Sequence, residues 1–134
     1  MEMPSVMTGA GKHLVVGVDD DFRLRESLKS LVESAGYAAA VYSSAEEFLQ
    51  SGALAEATCL ITDVRMPGLN GIELQRRIRV ERPALPVIFI SAHHDDETRK
   101  RALDEGAMRF LYKPFDGAEL LRLIEAALKD FPED

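Results

Sequence analysis

Apolar and polar positions change period along this chain, and the change repeats five times. His13-Leu14-Val15-Val16-Gly17-Val18 is a mostly apolar run rich in β-branched residues and stops at Asp19-Asp20-Asp21. Such a run predicts a strand buried on both faces. Leu24, Leu28, Leu31, Val32 and Ala35 then recur at helical spacing, with Gly36 placed to stop the helix. Tyr37 to Tyr42 predicts a second strand, the weakest in composition because of its alanines. Ser44 followed by Glu47 is a capping-box pattern for a short helix through Phe48 and Leu49 that ends near Gly52.

Cys59-Leu60-Ile61 is too short an apolar run for a helix and suits a third buried strand. It leads into Thr62-Asp63-Val64-Arg65-Met66, and Pro67-Gly68 and Asn70-Gly71 mark the turn beyond. A helix after Gly71 points Leu74 and Ile78 inward and closes before Pro83. Val87-Ile88-Phe89-Ile90 is the fourth strand and ends at Ser91. The helix around Asp95 to Glu105 carries little apolar surface beyond Ala102 and Leu103, with Gly106 as its stop. So thin a stripe predicts weak packing and easy movement. Met108 to Tyr112 forms the fifth strand and ends at Lys113-Pro114. Asp116 with Glu119 caps a last helix lined by Leu120, Leu123, Ile124, Ala127 and Leu128. Strictly alternating strands and helices predict one doubly wound α/β domain over residues 13–130 with a mainly parallel sheet. Residues 1–12 read as a loose N-terminal tail and 131–134 as a short C-terminal one.

Composition narrows the function classes. The 134 residues are 46% hydrophobic and 29% charged, which suits one globular domain with a sizeable core. A net charge of −7 argues against the chain itself gripping nucleic acid or an anionic membrane, since phosphate binding needs a basic face. No apolar stretch approaches the length needed to span a bilayer, and Met1 to Lys12 lacks the pattern of a secretory signal. The single cysteine, Cys59, lies in an apolar run and reads as a buried core residue of a cytoplasmic protein.

Parallel strands bring their carboxyl ends to one edge of the sheet, which is where open α/β sheets place ligands. Four of those ends here carry Asp19 and Asp20, Asp63, Ser91, and Lys113. Three crowded carboxylates repel, and a divalent cation is the natural remedy. Oxygen ligands with room for water favour Mg²⁺ alongside phosphate oxygens. A lysine and a hydroxyl opposite can hold the remaining oxygens of a phosphoryl group, whose transfer asks mainly for positioning and charge neutralisation. A carboxylate can itself be the nucleophile, and Asp63 stands alone on the central strand while Asp19 and Asp20 are left for the metal. Taken singly, each has a plainer reading: Asp19-Asp20 as solvated loop, Asp21 as a helix cap, Ser91 as a turn residue, Lys113 as a surface charge. Their joint occurrence at successive strand ends carries the inference.

With these residues assembled, the chain resembles the response-regulator receiver domains of two-component systems from about Leu14 to Leu128. The motifs are Val18-Asp19-Asp20-Asp21, Thr62-Asp63-Val64-Arg65-Met66-Pro67-Gly68 with Gly71, Ile90-Ser91-Ala92 and Lys113-Pro114-Phe115. The wording around Asp63 is most similar to the FixJ-like transcriptional regulators. The resemblance implies a flavodoxin-like, CheY-like (βα)5 fold with five parallel strands in the order 2-1-3-4-5. It implies that Asp63 takes a phosphoryl group from a sensor histidine kinase. Asp20, Asp63 and the backbone carbonyl of Arg65 would bind Mg²⁺ directly, with Asp19 assisting through water. Lys113 would contact the phosphoryl group and make a cis bond to Pro114, and Ser91 would bond a phosphoryl oxygen and draw its loop inward. Phe110 falls at the switch aromatic, and Arg65 and His93 at positions that tune autodephosphorylation. The face of the fourth helix, fifth strand and fifth helix would change on switching, and a homodimer through it is one arrangement open to the chain.

Other features compete. His93-His94-Asp95 could bind metal, though an exposed loop accounts for them more simply. Arg76, Arg77, Arg79 and Arg82 could touch nucleic acid, or form a solvated helix face. An aspartyl-phosphate hydrolase of the haloacid-dehalogenase kind would use Asp19-x-Asp21, but the residues that should follow are missing, as is a cap domain. A DNA-binding regulator would need an output domain, for which the chain to Asp134 has no room.

Overall fold

A computed structural model describes residues 13–130; the two expected tails, 1–12 and 131–134, lie outside the described residues. The five apolar runs become strands and the periodic stretches between them become helices. In order these are β1 (Leu14–Val18), α1 (Phe22–Ser34), β2 (Ala38–Tyr42), α2 (Ala45–Ser51), a 3-10 turn (Ala53–Ala55) and β3 (Cys59–Asp63). They continue as α3 (Gly71–Glu81), β4 (Val87–Ser91), α4 (Asp96–Asp104), β5 (Arg109–Tyr112) and α5 (Gly117–Asp130). All strand pairs are parallel and the order across the sheet is β2-β1-β3-β4-β5. The Lys113–Pro114 peptide is cis.

Side-chain alternation divides the core between the two faces of the sheet. Val16, Val18, Leu60 and Phe89 point to one face and meet Phe48, Leu74, Ile78 and Ala102 from α2, α3 and α4. Val15, Ile61, Ile88 and Ile90 point to the other and meet Leu28, Val32, Leu120 and Ile124 from α1 and α5. With helices covering both faces, β3 and β4 are buried along their whole length. Each such aliphatic or aromatic side chain contributes about 1.5–3 kcal/mol by leaving water, so the rigid centre of the sheet is also where Asp63 is anchored.

Cys59 lies in that centre with 0% exposure, and burial alone pushes its thiol up to about 12. A thiolate is the reactive form. Cys59 is therefore expected to resist a thiol reagent in the folded protein and to label at a rate set by unfolding. Labelling followed against urea concentration checks this, with protection lost only through the unfolding transition.

The caps follow the sequence with two refinements. Ser44 accepts from the Glu47 amide at 3.0 Å, but the Glu47 carboxylate returns to the Ser43 amide at 2.7 Å, one residue earlier than a full capping box requires. Asp116 caps α5 through the Ala118 amide at 3.0 Å. The reciprocal capping box belongs to Asn70 and Glu73 at the start of α3.

Two expectations are refined at α4. Its apolar stripe is indeed thin, with Ala102 its one buried residue. Yet polar contacts from α3 hold its C-terminal end: Arg76 makes a bidentate ion pair with Glu105 at 2.8 Å, Arg79 donates to the Glu105 carbonyl, and Gln75 donates to the Ala102 carbonyl. Arg82 turns the other way and donates to the carbonyls of Leu54 and Ala57. Three of the four clustered arginines thus tie helix ends together, because a guanidinium on a helix flank can reach the unpaired carbonyls and acids of its neighbour. Arg76, Arg77 and Arg79 are exposed, so the cluster is the solvated face expected of it, and Arg76 and Arg79 on that face also clasp the end of α4.

The bonded Arg76 guanidinium holds Glu105 below the ordinary glutamate value. A depressed carboxyl stabilises the fold above its unfolded pKa and loses that contribution as pH falls through the lower, folded value. Opening of α4 is therefore expected to become easier in mild acid. Hydrogen exchange of its amides, taken relative to intrinsic exchange at each pH, measures this, and Glu105→Gln should flatten the dependence.

Candidate functional site

The carboxyl ends of β1 and β3 lie side by side at the centre of the sheet, and the loop after β5 comes over them. Asp63, 6% exposed, accepts the Val64 amide on Oδ1 at 2.7 Å and faces Lys113 Nζ with Oδ2 at 3.2 Å. The same ammonium reaches Asp19 Oδ2 at 2.9 Å. Asp19, 1% exposed, also accepts the Asp21 amide on Oδ1 at 2.8 Å. Asp20 is exposed at the mouth, and Asp19, Asp20 and Asp63 each offer an oxygen within 4.8 Å of the others.

The electrostatics of this notch are unbalanced. Burial pushes the Asp19 carboxyl above the ordinary aspartate value; the Asp21 amide and the Lys113 ammonium oppose this, while the charge of Asp63 adds to it. Burial also works against charge on Lys113, but the hydrogen bond and charge of Asp19, with the charge of Asp63, outweigh it and hold the ammonium above its ordinary value. One ammonium does not neutralise three carboxylates, so the notch favours a further cation. The donors fit a hard divalent ion: all are oxygens, one carboxylate is open to water, and the set is too small to form a closed cage.

The loop leaving Asp63 is held by its own contacts. Gly71 N–H donates to the Val64 carbonyl at 2.8 Å, and Glu46 from α2 accepts the Leu69 amide at 2.8 Å. That amide holds the exposed Glu46 carboxyl below its ordinary value. A side chain at position 71 has no room, since a Cβ there would stand 2.2 Å from the Asp63 carbonyl oxygen. Arg65, exposed on this loop, places Nη2 3.5 Å from Asp95 Oδ2 at the start of α4.

Ser91 and Phe110 sit beside this cluster with partners of their own. The Ser91 hydroxyl accepts the His93 amide at 3.0 Å and donates to the His93 carbonyl at 3.3 Å. Phe110 is already inside, 8% exposed, with its ring centroid 5.8 Å from that of Phe89 and 5.5 Å from that of Tyr112. Its apolar ring is satisfied by this aromatic cluster without a hydroxyl partner. Exposed His94 stacks on Tyr112 at 4.1 Å, so this histidine serves as a ring contact.

Several of these contacts were not visible as motifs. Arg25 donates Nη1 to the Asp19 carbonyl at 2.8 Å, which no local pattern announces because α1 must first turn back over β1. The His94–Tyr112 stack joins a loop to the neighbouring strand and is equally silent in sequence. Asn70-x-x-Glu73, by contrast, carried a readable capping signature.

Residues 15–125 match the family model of the response regulator receiver domain. The chain is 37% identical over 123 residues to the transcriptional regulatory protein FixJ of Bradyrhizobium diazoefficiens, covering 92% of this chain and 59% of that protein. It is 42% identical over 116 residues to the response regulator protein TodT of Pseudomonas putida, covering 87% of this chain and 51% of that one. It therefore spans little more than half the length of these curated relatives. Among solved structures, a response regulator receiver protein from Pseudomonas putida superposes with a TM-score of 0.80 at 36% identity, covering 87% of this chain and 98% of that one. No helix among the described residues is long and apolar enough to cross a membrane.

Proposed function

Because the chain belongs to the response regulator receiver domain family, we propose that it is a phosphorylation-controlled switch in which Asp63 accepts a phosphoryl group from a sensor histidine kinase. The observation that carries this is the Lys113 ammonium set between Asp19 and Asp63, with Asp20 alongside. The Asp63 carboxylate attacks phosphorus, the P–N bond of the donor phosphohistidine breaks, and the imidazole leaves with a proton from solvent. Lys113, already beside Asp63 Oδ2, is placed to hold a phosphoryl oxygen as charge moves. Asp19, Asp20, Asp63 and the backbone carbonyl of Arg65 would hold Mg²⁺, which when bound neutralises charge on the phosphoryl oxygens.

Switching follows from competition for the Ser91 hydroxyl. It is bonded to His93 in the unmodified protein, and a phosphoryl group on Asp63 supplies stronger, charged acceptors. Turning towards them releases the His93 amide and loosens a loop whose next residue, His94, stacks on Tyr112 beside Phe110. The phosphoryl group thereby favours one of two loop arrangements, which is a population shift. Since Phe110 is already buried, the expected change on this face is a rearrangement around an inward ring; the aromatic need not enter from solvent. Arg65 and His93, flanking the site, would tune loss of the phosphoryl group. The face of α4, β5 and α5 would meet a second copy of the chain or an output domain, and the FixJ likeness favours a role in transcriptional control.

Incubation with acetyl phosphate tests the reading. One phosphoryl group per chain is expected by mass, dependent on Mg²⁺ and abolished by EDTA. Steady turnover of p-nitrophenyl phosphate without a stable adduct would instead indicate a hydrolase.

A further inference from the structure

We infer that Arg25 is a positioning residue for the acidic notch: its guanidinium clamps the peptide between Asp19 and Asp20 and so aims Asp20 at a divalent cation. The inference rests on the Mg²⁺ reading above. Arg25 lies half-buried on the first turns of α1, with its own amide bonded to the Asp21 carbonyl at 3.1 Å and its guanidinium carbon 5.7 Å from the centre of the Phe22 ring. From there Nη1 donates to the Asp19 carbonyl at 2.8 Å.

The neighbouring bonds show why this contact matters. Asp19 is fixed at every other polar group: its amide donates to the Tyr42 carbonyl at 3.1 Å, and its two carboxylate oxygens take the Asp21 amide and the Lys113 ammonium. Asp20 is the opposite. It is exposed, and its carboxylate accepts no hydrogen bond from any described residue. Its direction is therefore set by its backbone, and the plane of the preceding peptide is shared with the carbonyl that Arg25 holds. A bond to that carbonyl acts on Asp20 as outer partners act on metal ligands generally, by fixing orientation.

A merely electrostatic role predicts the opposite sign, which makes the inference testable. Arg25 is a cation beside three carboxylates, so by charge alone its removal should tighten binding of Mg²⁺. Loss of a clamp should weaken it, by about tenfold, the lower end for outer-shell partners. The experiment titrates Mg²⁺ into the full chain and follows the Asp20 amide by NMR, comparing wild type with Arg25→Ala and Arg25→Gln. Weaker binding in both variants, with a dispersed spectrum retained, supports the clamp. Arg25→Gln keeps most of the aliphatic stem and gives the same reading if the alanine variant folds poorly. Saturable binding by wild type that the variants leave unchanged or tighten overturns the clamp alone. Failure of the wild type to bind Mg²⁺ overturns the metal reading and the clamp with it.

Discussion

Gly71→Ala is expected to destabilise the protein by about 2–3 kcal/mol and to displace the backbone of Asp63. The added Cβ would stand 2.2 Å from the Asp63 carbonyl oxygen, 2.9 Å from Phe89 Cε1 and 3.0 Å from Val64 Cα. Two of these three neighbours are backbone, so no rotamer change relieves them. Overpacking of this kind costs about 1–3 kcal/mol, and more when nothing can give way. Alanine is the better helix former by about 1 kcal/mol in a helix interior, and that gain is smaller at the first residue of α3. Sterics therefore prevail. A fall in the urea midpoint at unchanged slope would measure the cost. An unchanged midpoint would mean that α3 and β3 are not pressed together at this point. Phosphoryl uptake should fall as well, since the carbonyl that must move belongs to the acceptor residue itself.

Lys113→Ala is expected to have two effects of opposite dependence on Mg²⁺. The ammonium bridges Asp19, 1% exposed, and Asp63, 6% exposed, and its removal leaves two buried carboxylates facing one another. Breaking a fully buried pair costs about 3–5 kcal/mol. Lys113 keeps a fifth of its side-chain surface in water, at 20% relative exposure, which reduces the expected loss to roughly 2 kcal/mol. The variant should then gain more stability from added Mg²⁺ than wild type does, because a more negative notch binds the ion more tightly and binding to the folded state alone stabilises it. Phosphoryl uptake should not recover in step. A donor placed where charge develops contributes roughly 100-fold to 1,000-fold in rate, and the ion does not replace that contact. Thermal melts with and without Mg²⁺, paired with initial rates from acetyl phosphate, separate the two effects. Equal Mg²⁺ stabilisation of variant and wild type would contradict the notch electrostatics.

Much of this arrangement was legible in the chain because it follows from position along strands. Asp19, Asp63, Ser91 and Lys113 terminate or follow apolar runs, and parallel pairing carries such ends to one edge. The split of the core followed from alternation, as with Cys59 and Ile61 on one face and Leu60 on the other. Contacts made across elements by long side chains were not legible. Arg76 looked like one charge in a solvated row, and its pairing with Glu105 depends on how α3 lies along α4, which periodicity does not encode. Arg25 and the His94–Tyr112 stack were hidden for the same reason. The burial of Phe110 against Phe89 is likewise not local, since it depends on the register of β4 with β5, where those two residues are paired.

The phosphoryl group is expected on Asp63 and on no other carboxylate of the notch. Reducing the acyl phosphate with borohydride converts the modified aspartate to a homoserine residue, which peptide mass spectrometry can place in the chain. After treatment with acetyl phosphate and Mg²⁺, a single converted residue is expected at position 63, absent from Asp63→Asn. Conversion at Asp19 or Asp20 in wild type, or undiminished stable labelling of Asp63→Asn, would contradict this assignment.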